Sequence, residues 1–341
     1  MNKGKIVTII GATLLTVGVI GGVCSGIVAM PTVINNIVNS QNILNKEDVL
    51  YKGQANLTKL NINAKVSNVT IRKYDGQNVI VERSGDKSIS TITAKENTNE
   101  LNITEEVINP NFGKSIDDMV RYFVNEVYSG QDSNITVYVP NNIDVNVSTD
   151  TGRLNVYDSN INTLNFNTSI GSIALNENCH INNLNIKSDD FIQLQVRELY
   201  RLNNLNVECY SIDIYEQDTV SDKSSIPDNV NIVANGDYDD IVVDIDSNLP
   251  IAKNLEITSN GNVGLNLPIL DYKFNFDVKA SNDIYFDEES KVKYMGTYVD
   301  KYLDGSYRFD KNEFKGLINE NPKDNSSEYF VNIRSANVSF K

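Results

Sequence analysis

Ile161-Asn-Thr-Leu164-Asn-Phe166, Ile181-Asn-Asn-Leu184-Asn-Ile186 and Leu202-Asn-Asn-Leu205-Asn-Val207 are three copies of one six-residue pattern, returning about every twenty residues. A short polar turn follows each copy, and then a second alternating pair: Ile173 and Leu175, Ile192 and Leu194, Ile212 and Ile214. Alternation at period two puts the apolar residues on one strand face and the Asn, Lys and Glu residues on the other. A fixed period near twenty marks one supersecondary unit repeated, each copy burying its apolar face on its neighbours. Matched asparagines, Asn162, Asn182 and Asn203, then fall in a column where their amides stack as a side-chain ladder. The expected fold is all-β, a β-solenoid.

Working outward, the same two-strand unit is legible at Leu57 to Ile62 with Val69 to Ile71, and at Val145 and Val147 with Leu154 and Val156 across Thr151-Gly152. Val79 to Val81, beyond the Asp75-Gly76 turn, reads as the second arm of a hairpin. Strands continue at 89–94 and 101–103, with a turn at 97–99, and at Ile135 to Val139 before Pro140. Further strands follow at 230–233 and 241–245; Leu255 and Ile257 are expected to pair with Val263 and Leu265 across Asn260-Gly261, and Phe276 and Val278 with Ile284 and Phe286 across Asn282-Asp283. Val331, Ile333, Val338 and Phe340 supply a last rung. Two segments break the rhythm. In 109–133, Ser115, Asp117 and Asp118 make a helix start, and Ile116, Val120, Phe123, Val124 and Val127 follow at helical spacing. The other, 291–325, is rich in Tyr, Lys and Asp, with Tyr294, Tyr298, Tyr302 and Tyr307 suited either to recognition or to covering the core.

Residues 6–30 carry no charged side chain. As a helix they extend about 37 Å, enough for a hydrocarbon core of roughly 30 Å. No A-x-A-like cleavage site follows, and Val23 before Cys24 is too bulky for a lipidation site. Lys3 and Lys5 precede the span and the next basic residue is Lys46, so the N-terminus is expected in the cytoplasm and everything downstream outside. The expected organisation is a tail 1–5, a membrane anchor 6–30, a linker 31–55 and an extracytoplasmic solenoid 56–341 with its two insertions. Gly18, Gly22 and Gly26 share one face of the anchor, a spacing that permits close helix packing.

The 341-residue chain carries a net charge of −15. That repels nucleic acid and anionic lipid or wall polymer, so that no nucleic-acid partner is expected, and favours cations or basic partners. One histidine, His180, leaves no room for a multi-histidine metal site. Cys179 and Cys209 fall on different sides of the coil, which predicts two buried free thiols rather than a disulfide.

The strand and proline at Ile135 to Pro140, the strand–turn–strand Val145 to Val156 around Gly152, and its echo from Phe166 through Gly171 to Ile173 resemble the adhesin-labelled family of bacterial surface proteins, a domain of unknown function. The likeness covers about residues 55–341 without the insertions. Later rungs depart from the family's Ser-Gly turn, with Asp189-Asp190 and Tyr210-Ser211 in its place. The resemblance implies a β-solenoid behind a membrane anchor in a bacterial, Gram-positive cell, and it brings no catalytic residues. No enzyme activity and no cofactor are expected. Calcium is the one metal worth weighing, at the carboxylates Asp237, Asp239, Asp240, Asp244 and Asp246, whose preferred reading is a solvated acidic face. Asp189, Asp190, Arg197 and Arg201 lie on neighbouring rungs and are the residues that polysaccharide cleavage would recruit. The expected function is that of a cell-surface adhesin or interaction module acting on wall polymer or a membrane protein; envelope-stress sensing through the anchor is the alternative.

Overall fold

The computed structural model describes residues 47–54, 57–74, 76, 78–85, 90–108, 133–176, 178–216, 226–237, 239–269, 271–286, 307–310, 312–318 and 327–341. The expected anchor with Gly18, Gly22 and Gly26, most of the linker, the helix of 109–133, and Tyr294, Tyr298 and Tyr302 lie outside them. Among the described residues no helix is long and apolar enough to cross a membrane. Two compact units are separable. One comprises Val49–Arg83, Thr91–Val107 and Asn134–Lys341, and holds the repeats. The other comprises Met1–Asp48, Ser84–Ser90 and Ile108–Ser133, and lies almost entirely outside the described residues.

Among the described residues twenty-one strands join in one hydrogen-bonded sheet. They begin with β1 (Asp48–Gln54), β2 (Lys59–Asn63), β3 (Asn68–Lys73), β4 (Asn78–Ser84), β5 (Ser90–Asn97) and β6 (Glu100–Val107). Next come β7 (Asn134–Val139), β8 (Ile143–Tyr157), β9 (Asn160–Leu175), β10 (His180–Ser188) and β11 (Phe191–Gln195), then one helical turn, α1 (Val196–Leu199). The chain continues through β12 (Leu202–Cys209), β13 (Ser211–Tyr215), β14 (Asn229–Ala234), β15 (Ile241–Asp246), β16 (Asn254–Ser259) and β17 (Asn262–Asn266). It ends with β18 (Lys273–Phe286), β19 (Tyr307–Asp310), β20 (Glu313–Ile318) and β21 (Glu328–Phe340).

The strands stack in parallel, in register, as two ladders. In the first, β6, β2, β8, β9, β10, β12, β14 and β16 follow one another. In the second, β11, β13, β15 and β17 do the same. β8 and β9 are long enough to serve both ladders, pairing along each half. The register sets one apolar column inside: Leu60, Val145, Leu164, Leu184 and Leu205, then Val230, Leu255, Val331 and Phe276. All are buried, and the inward residues of both ladders form a single core cluster. Burying each such Leu or Ile contributes about 2 kcal/mol. The stack is therefore a solenoid-like succession of rungs.

The bend between the two ladders uses small inward residues. Thr149, Thr168 and Ser188 are in register there, and so are Cys209, Ala234 and Ser259. Three hydroxyls at this corner bond the backbone two residues on, that of Thr168 being the exception: Thr149 Oγ1 donates to the Thr151 carbonyl at 2.7 Å, and Ser188 Oγ and Ser259 Oγ accept from the Asp190 and Gly261 N–H groups at 3.1 and 3.0 Å. Such local bonds are the usual reason for Ser and Thr at turns. Gly152 has φ +143°, and a Cβ there would lie 2.7 Å from the Ser67 carbonyl oxygen, so this corner requires glycine.

Four expectations are corrected. The strand pairs of one unit do not bond each other as hairpins; each bonds the next rung, as β16 and β17 both bond β21. β3 does not form a hairpin with β4, because β7 and β8 occupy its two edges. Residues 48–54 of the expected linker are strand β1, whose Leu50 and Tyr51 pack on the core. The C-terminal strand is not the last rung. β21 lies between β16–β17 on one side and β18 on the other. Beyond β18 comes antiparallel β20 and then β19, formed by part of the expected second insertion. These antiparallel strands cover an edge that parallel rungs would otherwise leave open.

An aromatic cluster closes this end of the core. Phe276 and Phe314 centroids are 5.3 Å apart, Phe314 and Phe340 5.5 Å, and Phe276 and Phe340 5.8 Å. Phe340 stands one residue from the C-terminus and is fully buried. Phe340→Ala is expected to lower stability by about 4 kcal/mol. Phe191→Ala, at a side chain 46% exposed, should change it by less than about 0.5 kcal/mol. Urea denaturation of both variants checks this.

Candidate functional site

The outward positions of the first ladder carry the repeated asparagines, and the register brings them into columns. The expected column is present: Asn203 Nδ2 donates to Asn182 Oδ1 at 3.1 Å, Asn182 to Asn162 at 3.4 Å, and Asn162 to Asp144 Oδ1 at 2.8 Å. A tighter and longer column runs beside it. Asn206 donates to Asn185 at 2.8 Å, Asn185 to Asn165 at 2.8 Å, Asn165 to Asn146 at 2.6 Å, Asn146 to Asn61 at 2.7 Å, and Asn61 to Asn102 at 2.9 Å. A third links Asn254, Asn229, Asn204 and Asn183 at 2.7 to 3.1 Å. Each ladder bond uses one amide N–H and one carbonyl lone pair, and an asparagine has two of each.

An open groove of about 570 Å³ lies over the central column. Asn146, Asn165, Asn185, Asn206 and Asn231 line it as one column, Asn167, Lys187, Glu208 and Val233 form the rim as the next column but one, and Ile186 and Val207 lie between them. Lys187 Nζ and Glu208 Oε1 are 2.8 Å apart, so the rim's two charges neutralise one another. A smaller groove of about 350 Å³ includes Glu256, Asn275, Asp277, Phe330 and Asn332 near the aromatic end.

The other candidate residues are dispersed. Asp244 is bound by Lys341 Nζ at 2.5 and 2.8 Å, Asp246 accepts from Asn266 Nδ2 at 2.8 Å, and Asp237 accepts from the Tyr210 hydroxyl at 2.8 Å. Asp239 and Asp240 are exposed on the turn before β15. Among the described residues no group of three or more His, Cys, Asp or Glu side chains is arranged to hold a metal ion. Asp189 and Asp190 sit at the corner before β11, whereas Arg197 and Arg201 follow its other end. Arg201 is committed to the Leu175 carbonyl. The four residues that cleavage chemistry would recruit are not brought together.

Two buried carboxylates escaped the sequence reading. Glu105 accepts the backbone N–H groups of Lys65, Val66 and Ser67 at 2.6, 3.0 and 3.1 Å, and the Ser67 hydroxyl at 2.5 Å, tying the loop after β2 to β6. It occupies the inward phase of Leu101-Asn-Ile103-Thr-Glu105, which was the available signal. Glu198 accepts from Leu175 N and Gln195 N at 2.8 Å each, joining α1 to β9. Its one signal is the spacing of three residues from the cap residue Gln195, the position of the acid in a capping box. Both contacts are structural.

Cys179 and Cys209 are buried free thiols, as expected. Burial pushes the Cys179 thiol up to about 11 and the Cys209 thiol up to about 12. Both should resist iodoacetamide at pH 8 in the folded protein and react fully in urea, measured by peptide mass spectrometry.

These features define a solenoid-like class of architecture within the all-β proteins: parallel rungs with polar ladders outside and an aliphatic column inside. The sequence profile described as Toastrack DUF4097 matches residues 57–294, and the chain belongs to that family. No curated protein matches the chain. Among solved structures, a protein provisionally named for cell adhesion from Clostridium sporogenes is 11% identical, with 87% of this chain and 99% of that chain covered and a TM-score of 0.26. A provisionally named adhesin from Bacteroides fragilis is 9% identical, with 87% and 98% covered and a TM-score of 0.31.

Near the smaller groove, Asp277 is held below its ordinary value, chiefly by a hydrogen bond from Lys315 and further by Arg334, against the opposing effect of burial. Glu328 is likewise lowered, chiefly by a hydrogen bond from Asn275. The folded state therefore binds these protons more weakly than the unfolded chain. Their stabilisation is present at neutral pH and is lost as pH falls through the ordinary carboxylate range towards the lowered values. Melting curves from pH 7 to pH 3 should show an acid decline that Asp277→Asn makes shallower.

Proposed function

We propose that the protein is a non-catalytic surface interaction module, a β-solenoid held outside the membrane by residues 6–30 and binding wall polymer or another surface component. The observation that carries this reading is the continuous outward face of the first ladder. Its polar groups repeat from rung to rung over one open groove, whereas the residues suited to catalysis are separated or bonded into the framework. A repeating polar face is suited to an extended ligand, and a rigid ladder spares the ordering cost that a loop-built site incurs. The uncharged segment 6–30, preceded by Lys3 and Lys5, supports the outward orientation.

Labelling of intact cells with a membrane-impermeant amine reagent tests the reading. The exposed lysines of the repeats, Lys187 and Lys253 among them, should be labelled without lysis, and the protein should sediment with membranes. Labelling only after lysis would overturn it.

A further inference from the structure

Building on the surface-module reading, we infer that the groove over β8, β9, β10 and β12 takes an uncharged glycan chain, laid across the strands with about one sugar per rung. Three features carry this.

The first is hydrogen-bonding capacity. Asn146, Asn165 and Asn185 spend one N–H and one lone pair each on the ladder, and Asn206 spends one N–H, which fixes the plane of every amide. The remaining N–H and lone-pair capacity of each amide recurs along the groove. A donor beside an acceptor suits a hydroxyl, which also gives one and receives one.

The second is spacing. Neighbouring strands lie about 4.8 Å apart. A chain of hexoses joined by equatorial 1,4-linkages advances by slightly more than that distance per sugar with successive rings turned over, so over these four rungs each ring stays beside one rung and the same hydroxyl returns on every second one. An extended peptide laid the same way advances about 3.4 Å per residue and falls out of step within two rungs.

The third is charge. Lys187 and Glu208 neutralise each other on the rim at 2.8 Å, no other charged side chain lines the groove, and the whole chain carries −15. Anionic polymers are repelled and nothing in the groove selects a cation. No aromatic ring lines it either, so each sugar is held by hydrogen bonds alone and affinity depends on engaging several rungs together.

The test is co-sedimentation of the full-length protein in detergent with two insoluble uncharged glycans: cellulose, which offers hydroxyls only, and chitin, which adds an acetamido group. Retention on either supports the inference, and the difference between them identifies which sugar chemistry is read. Asn167→Ile puts a branched apolar side chain on the exposed rim and leaves the ladder intact; Asn185→Ala removes the central amide. Each should weaken retention about tenfold or more, as expected for the loss of one or two bonds and the rungs they keep in step. Melting curves establish that Asn167→Ile is folded. Absence of retention on both glycans overturns the inference, as does retention unchanged in folded Asn167→Ile. Such a failure leaves the surface-module reading standing wherever the protein is still labelled on intact cells, because that reading is judged by the labelling alone.

Discussion

Everything in this molecule depends on rungs staying in register. A parallel ladder bonds each strand to its neighbours along both edges, so a shift of one residue would move every inward side chain of that rung to the solvent face. Leu184 lies between Leu164 and Leu205, and Asn185 between Asn165 and Asn206, as two consequences of one alignment. The apolar column supplies the free energy. The amide ladder supplies the discrimination, because a slipped rung would leave Asn185 facing an aliphatic side chain. Aligned amides in series also polarise one another, which strengthens each bond in the row.

The ends of such a stack pose a different problem, since the terminal rungs expose both core and backbone. At the C-terminal end the chain solves it by order rather than by length. β18 is laid down outside, antiparallel β20 covers it, and β21 then enters between β16 and β18. The last residues thus complete an interior rung, with Phe340 set among Phe276 and Phe314, and Lys341 reaching Asp244 across the neighbouring strands. Non-local closure of this kind is expected to be slow to form.

The rung itself was legible in the sequence, because period two and period twenty are both written in the positions of Leu, Ile and Asn. The Asn162–Asn182–Asn203 column followed from that periodicity, and so did the buried thiols. The order of the rungs was not legible. Val331, Ile333, Val338 and Phe340 carry the same alternation as any other rung, and alternation specifies a face but not a neighbour. The hairpin expected at Val79 failed for the same reason: a turn signal at Asp75-Gly76 says where the chain bends, not which strand it meets. Glu105 was missed because an inward glutamate breaks the polarity rule, and its explanation lies in three N–H groups about forty residues earlier. The groove was only half visible. Its asparagines were conspicuous, but their convergence with Lys187 and Glu208 needed the register.

The most direct measurement of that register is disulfide trapping. Asn165 and Asn185 are paired on adjacent rungs, whereas Asn165 and Asn206 are two rungs apart. Cysteines on adjacent rungs lie within the roughly 4.4–6.8 Å Cα range of a disulfide, and those two rungs apart, at about 10 Å, do not. With Cys24 replaced by Ser, mild oxidation of the Asn165→Cys, Asn185→Cys protein should give a complete intramolecular cross-link. The Asn165→Cys, Asn206→Cys protein should stay reduced. Cross-linking of the second pair, or none in the first, would contradict the in-register stack on which the whole account rests.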